Sequence, residues 1–118
     1  MAAYADWPNP LDDYDQAMEF LKGKSEEWNI YADRIAVIGF SAGGHLAAAA
    51  ATMARNRPAA AILGYAVAGE DVKGCSPTAP DTVSAVDGQT PPCFLFHTRN
   101  DNVVPVMNSV RFMEALTE

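Results

Sequence analysis

The stretch from Arg34 to Leu46 limits the fold of this chain more than any other. Ile35-Ala36-Val37-Ile38 is continuously apolar, Gly39-Phe40-Ser41-Ala42-Gly43 follows at once, and the alanine run Ala47 to Ala51 comes directly after. The apolar run reads as a strand, and the small, unbranched alanines read as a helix of high intrinsic propensity. Because the run lacks alternation, the strand is expected to be buried on both faces of a parallel sheet. A strand that gives way to a helix within a few residues needs a sharp turn. Gly39 and Gly43 are expected to make room for it, a Cβ at either position pressing on the neighbouring strand or helix.

That order gives Ser41 a chemical meaning. A serine on a strand-to-helix turn stands clear of the sheet, at the C-terminal strand end where sites of open α/β sheets form. Ala42 opens the helix, so its N–H has no intrahelical acceptor and can meet a developing oxyanion together with the helix dipole. A serine hydroxyl is a weak nucleophile and needs a base, and the base needs an orienting acid. Asp101, in Asn100-Asp101-Asn102, follows a later apolar run and stands where the acid comes in the order serine, acid, histidine. A glycine-rich turn with an incidental serine, and an ordinary turn aspartate, are the plainer readings of the two segments taken singly. Together they favour a nucleophile and its acid.

The remaining elements fit around this unit. Asn9 can cap a helix with Pro10 in its first turn and Asp12 and Asp13 against its dipole. Leu11, Tyr14, Met18 and Leu21 form its apolar face, and Trp28 extends the stripe. The central helix runs from Ala42 to about Asn56, ended by Pro58. Residues 59–65 and 93–97 read as two more strands, and Val106 to Glu118 as a helix with Val110, Met113 and Leu116 on one side. Residues 67–92, broken by glycines and prolines, read as a functional loop, an insertion, or a segment hiding a short helix. Strand, helix, strand, loop, strand, helix implies an α/β fold: a parallel sheet flanked by helices, in a single domain.

Composition narrows the partners. The net charge of -7 repels phosphate backbones and anionic lipid, so neither nucleic acid nor a membrane surface is expected. The start, Met1 to Asp6, carries no basic region followed by an apolar one, and the chain has two cysteines. Cys93 reads as a buried thiol, a Cys75–Cys93 bridge being the lesser alternative. A cytoplasmic setting is expected. So is self-association through exposed sheet edges, since a three-stranded sheet leaves them bare.

Asp33 to Ala47 resembles the nucleophile-elbow region of bacterial α/β-hydrolase esterases, near the acetyl-esterase and acetylxylan-esterase-like lipases. Thr90 to Thr98, Asp101, Val104-Pro105-Val106 and Asn108-Ser109 resemble the acid-bearing strand and loop of that family, and Trp7 to Asp13 its helix before the nucleophile strand. The resemblance covers most of the chain outside 67–89. It implies Ser41 as nucleophile, Ala42 as an oxyanion N–H donor and Asp101 as acid. It further implies hydrolysis of short-chain or acetyl esters of small molecules through an acyl-enzyme, with no cofactor and no metal.

Two departures qualify that implication. The family's histidine lies beyond the acid, and no histidine follows His97; its His-Gly-Gly oxyanion motif would precede Trp7, where nothing like it stands. The chain thus resembles the central to C-terminal part of such an enzyme, and the 118 residues alone are expected to be inactive. His97 and His45 remain candidates for the base, though both positions are ordinarily structural in the family. Tyr65 is expected to pack or to shape the pocket. The alternative is a truncated or degenerate hydrolase module that serves interaction or structure rather than catalysis.

Overall fold

The computed structural model of the chain describes residues 6–74 and 76–118. The chain start and Cys75, read above for a leader and a bridge, lie outside the described residues. The order is α1 (Asn9–Gly23), β1 (Ala36–Phe40), α2 (Ala42–Met53), β2 (Ala60–Gly64), β3 (Cys93–Phe96) and α3 (Met107–Leu116). The sheet is parallel throughout, in the order β1-β2-β3, with Ile38 beside Ile62 and Ile62 beside Phe94. The irregular segment holds two short 3-10 turns, Glu70–Gly74 and Val83–Ala85. No helix is long and apolar enough to cross a membrane among the described residues.

Alternation along the strands sorts side chains into two faces. Val37, Ala61, Leu63, Cys93 and Leu95 point to one face, where they meet Ala47, Ala48 and Ala51 of α2 and Phe112 of α3. Four consecutive alanines of α2, Ala48 to Ala51, are fully buried. With only methyl groups to accommodate, the helix backbone lies close on the sheet. Helix α1 packs on α2. Its expected apolar face holds, with Met18 buried and Leu11, Tyr14 and Leu21 half-buried.

The expectation of a sheet buried on both faces is corrected. Ile38, Phe40, Phe94 and Phe96 are 58%, 46%, 65% and 40% exposed, because the helices of the described residues stand on the opposite face. On this bare face the central strand carries Gly64. A Cβ there would lie 2.6 Å from ring atoms of both Phe40 and Phe96. The two rings therefore meet across the middle strand, their centroids 6.1 Å apart, and Tyr65 joins them.

Other expectations shift by less. Asn9 is the first helical residue rather than the cap, and no side chain caps α1. Trp28 is exposed and pairs edge-on with exposed Phe20, off the buried stripe. Helix α2 ends at Met53, where the buried Asp15 of α1 takes over the next turn. It accepts from the backbone N–H and the side-chain amide of Asn56 at 3.0 and 3.1 Å. The phenol of Tyr14 donates to the Asn56 carbonyl, and burial pushes its pKa up to about 12. In α3 the buried face is Asn108, Ser109 and Phe112, while Met113 is exposed.

Candidate active site

Ser41 sits between β1 and α2 with φ 54° and ψ -118°, a conformation that L-residues adopt at a cost of about 1–3 kcal/mol. Its surroundings hold it there. The Ser41 N–H donates to the Gly64 carbonyl at 3.0 Å, extending the sheet by one residue. The Ser41 carbonyl accepts from His45 N–H in the first turn of α2 and from Val67 N–H beyond β2, both at 3.2 Å. The Ala42 N–H has no acceptor among the described residues, so one donor is available beside the serine.

The glycines of the turn divide differently from the expectation. A Cβ on Gly39 would collide with the Gly43 carbonyl and stand 2.6 Å from the Gly43 carbonyl carbon. A Cβ on Gly43 would meet nothing within 4 Å, so the packing role expected of Gly43 is not found among the described residues. Gly44 is the second tight position: a Cβ there would come 2.8 Å from Cα of Ala66.

Asp101 lies in the loop after β3. One carboxylate oxygen accepts from Val103 N–H and Val104 N–H, both at 2.8 Å. The other stands 3.4 Å from Nε2 of His97. The bonds from Val104 and Val103, aided by His97, hold the carboxyl below its usual range, which keeps it ionised. The residues after it, Val103, Val104 and Pro105, line a cavity of about 270 Å³ together with Ser41, Ala42, Val67 and Asp71. The fold thus brings Ser41, Ala42 and the Asp101 loop to one cavity.

Neither histidine lines that cavity. His45 is fully buried in α2, its Nε2 2.7 Å from the Pro80 carbonyl and its ring edge-on to Trp7 at 5.3 Å. Burial lowers its pKa, so the ring is neutral and Nε2–H donates to Pro80. His97 ends β3 with both ring nitrogens engaged, Nε2 by the Val104 carbonyl and Nδ1 by the Ser109 hydroxyl, each at 2.8 Å. A carbonyl only accepts, so Nε2 carries a proton, while Nδ1 and the Ser109 hydroxyl share the other hydrogen bond. Tyr65, with φ 36°, packs in the aromatic group of the bare face and does not line the cavity. Cys93 is a free, half-buried thiol whose pKa is raised by burial.

Two residues at this site were not singled out from the sequence for a role there. Asp71 lines the cavity from the first 3-10 turn. Asn108 is 3% exposed and ties three segments together: its oxygen accepts from Gly69 N–H, and its amide donates to Asp71 and to the Pro105 carbonyl, all at 2.9 Å. Its burial within α3 is what marks it, since a buried amide needs partners.

Residues 1–65, more than half of the chain, match the model of the family described as BD-FAE. The chain belongs to the BD-FAE family. It is similar to the solved α/β hydrolase MGS-M1 from a Medee basin deep-sea metagenome library, at 40% identity and a TM-score of 0.86, over 99% of this chain and 47% of that one. It is also similar to an acetyl ester-xyloside bifunctional hydrolase from Caldicellulosiruptor lactoaceticus, at 33% identity and a TM-score of 0.86, over 95% and 52%. Among curated proteins it is 31% identical to endo-1,4-beta-xylanase B of Butyrivibrio fibrisolvens, over 92% of this chain and 22% of that protein. This BD-FAE chain therefore has an α/β-hydrolase fold and spans about half the length of the solved structures that it matches.

Proposed function

We propose that the chain carries the nucleophile, the acid and one oxyanion donor of a serine carboxylesterase acting on short-chain acyl esters, acetyl esters among them, without a cofactor. The observation that carries this reading is the backbone of Ser41, held at φ 54° beside an N–H with no acceptor among the described residues, in a cavity shared with the Asp101 loop. In the mechanism, Ser41 Oγ attacks the ester carbonyl carbon while a base takes its proton. Negative charge builds on the carbonyl oxygen, toward the Ala42 N–H and the positive end of α2. The alcohol leaves with the proton, and water then hydrolyses the acyl-serine by the same steps. Asp101, held ionised, orients the base and stabilises its charged form.

The base and a second oxyanion donor are assigned to segments beyond these 118 residues. Supporting this, His45 and His97 are occupied elsewhere, and the chain matches about half of each solved relative. A cytoplasmic setting is proposed with it.

The test is hydrolysis of a short-chain aryl ester by the natural full-length chain. Ser41→Ala is expected to lower turnover by at least a thousandfold. Turnover unchanged by that substitution refutes the assignment and leaves the non-catalytic module as the better reading. The 118-residue chain alone is expected to show little Ser41-dependent turnover.

A further inference from the structure

The cavity at Ser41 is lined by Val67, Val103, Val104, Pro105, Ala42 and the serine itself, with one ionisable side chain among them, Asp71. A carboxylate on an otherwise apolar wall has either been left there by the chain's path or been aimed there. The partners of Asp71 favour the second. One of its oxygens accepts from the Asn108 amide at 2.9 Å. Asn108 is buried, and its remaining side-chain groups are spent on Gly69 N–H and the Pro105 carbonyl, the latter on a residue of the same cavity wall. Asp71 is thus fixed relative to the cavity by an amide that cannot turn without losing three hydrogen bonds. Its second oxygen has no hydrogen-bond partner among the described residues. This separates it from Asp101, whose oxygens are taken up by Val103, Val104 and His97.

We propose that Asp71 sets the charge preference of the cavity, drawing in esters that carry a hydrogen-bond donor or a cation near the scissile bond and repelling those that carry an anion there. This rests on the esterase reading of Ser41. Asp71 is itself exposed, at the mouth of the cavity, so the physical basis is a solvent-screened negative charge that a bound ester meets at short range beside apolar walls. A bound hydroxyl or ammonium completes the vacant acceptor positions of the carboxylate, whereas a bound carboxylate meets a like charge.

The experiment uses the natural full-length chain and two aryl acetates that share the acyl group and differ in the para substituent, trimethylammonium against carboxylate. The ratio of their kcat/KM values is measured for the parent, Asp71→Asn and Asp71→Glu, with Ser41→Ala alongside. Asparagine keeps an oxygen for the Asn108 amide and removes the charge. Asp71→Asn is expected to reduce the cation-over-anion ratio on the order of tenfold, by an amount that shrinks as salt is raised. Asp71→Glu, which keeps the charge, is expected to retain most of the preference. A ratio that Asp71→Asn leaves within twofold of the parent overturns the proposal, as does an equal loss of activity toward both esters, which marks a purely positional role. If those results come with Ser41-dependent turnover, the esterase reading stands without Asp71. No turnover, or turnover that survives Ser41→Ala, overturns both.

Discussion

Gly43 belongs to the Gly-x-Ser-x-Gly pattern and Gly44 does not, yet the packing predicts that Gly44 is the one that cannot change. An alanine at Gly44 puts its Cβ 2.8 Å from Cα of Ala66, a residue 1% exposed at the exit of β2. Carbon atoms rest at about 3.5–4.0 Å, so α2 must withdraw by roughly 1 Å from the strand end it packs on. Overpacking of this kind costs about 1–3 kcal/mol, offset by up to about 1 kcal/mol from the better helix propensity of alanine. Gly44→Ala is therefore expected to destabilise by about 1–2 kcal/mol. Gly43→Ala meets nothing within 4 Å and gains the propensity alone, up to about 1 kcal/mol. The assay is urea unfolding of the 118-residue chain, followed by tryptophan fluorescence. Trp7 reports on α2 directly through its edge contact with His45. The two variants should differ in midpoint by roughly 1 M for a domain of this size. Measurement at two protein concentrations separates stability from association. If Gly43→Ala unfolds as early as Gly44→Ala, the reasoning from the position of each Cβ is wrong.

His45 supplies a pH dependence of known sign. Its folded pKa is lowered by burial, so the unfolded chain binds the proton more tightly; the stability contributed is complete above about pH 6.5 and is lost as pH falls from there toward the depressed folded value. Unfolding free energies measured between pH 5 and 8 should show that slope, and His45→Asn should remove it; an unchanged slope would assign it to another group. The bare face of the sheet, with Phe94 at 65% exposure, is expected to make the isolated 118-residue chain self-associate. Light scattering checks this: Phe94→Lys should weaken association, and a monodisperse parent monomer refutes it.

The elements that organise the fold were legible because their signals are local. Apolar runs and the alanine segment mark β1, β2, β3 and α2 within a few residues of their ends. The turn at Ser41 was legible for the same reason, since a strand and a helix directly flank it. What the sequence concealed depends on what comes near in space. Ile38 and Val37 are chemically alike, yet one is bare and the other covered, because covering depends on elements outside the strand. A spacing motif counts residues and carries no direction, so it could not tell Gly43 from Gly44. Asp71 and Asn108 stand 37 positions apart, one in a broken segment and the other in a helix, and only folding joins them. The same holds for Asp15 and Asn56, whose bond ends α2 three residues before the sequence pattern does.

The rings that cross Gly64 have a consequence for how this chain can vary. Phe40 is the residue immediately before Ser41, and its ring is wedged against Phe96 over a strand that offers no side chain at that point. The serine is thus steadied from the side of the sheet opposite the one that α2 packs against. Three positions on three strands share one volume: enlarging the middle one requires shrinking the outer two. Among related chains, residues 40, 64 and 96 should therefore change together or not at all, and a lone substitution at Gly64 should be felt first as a shift of Ser41 rather than as a loss of the sheet.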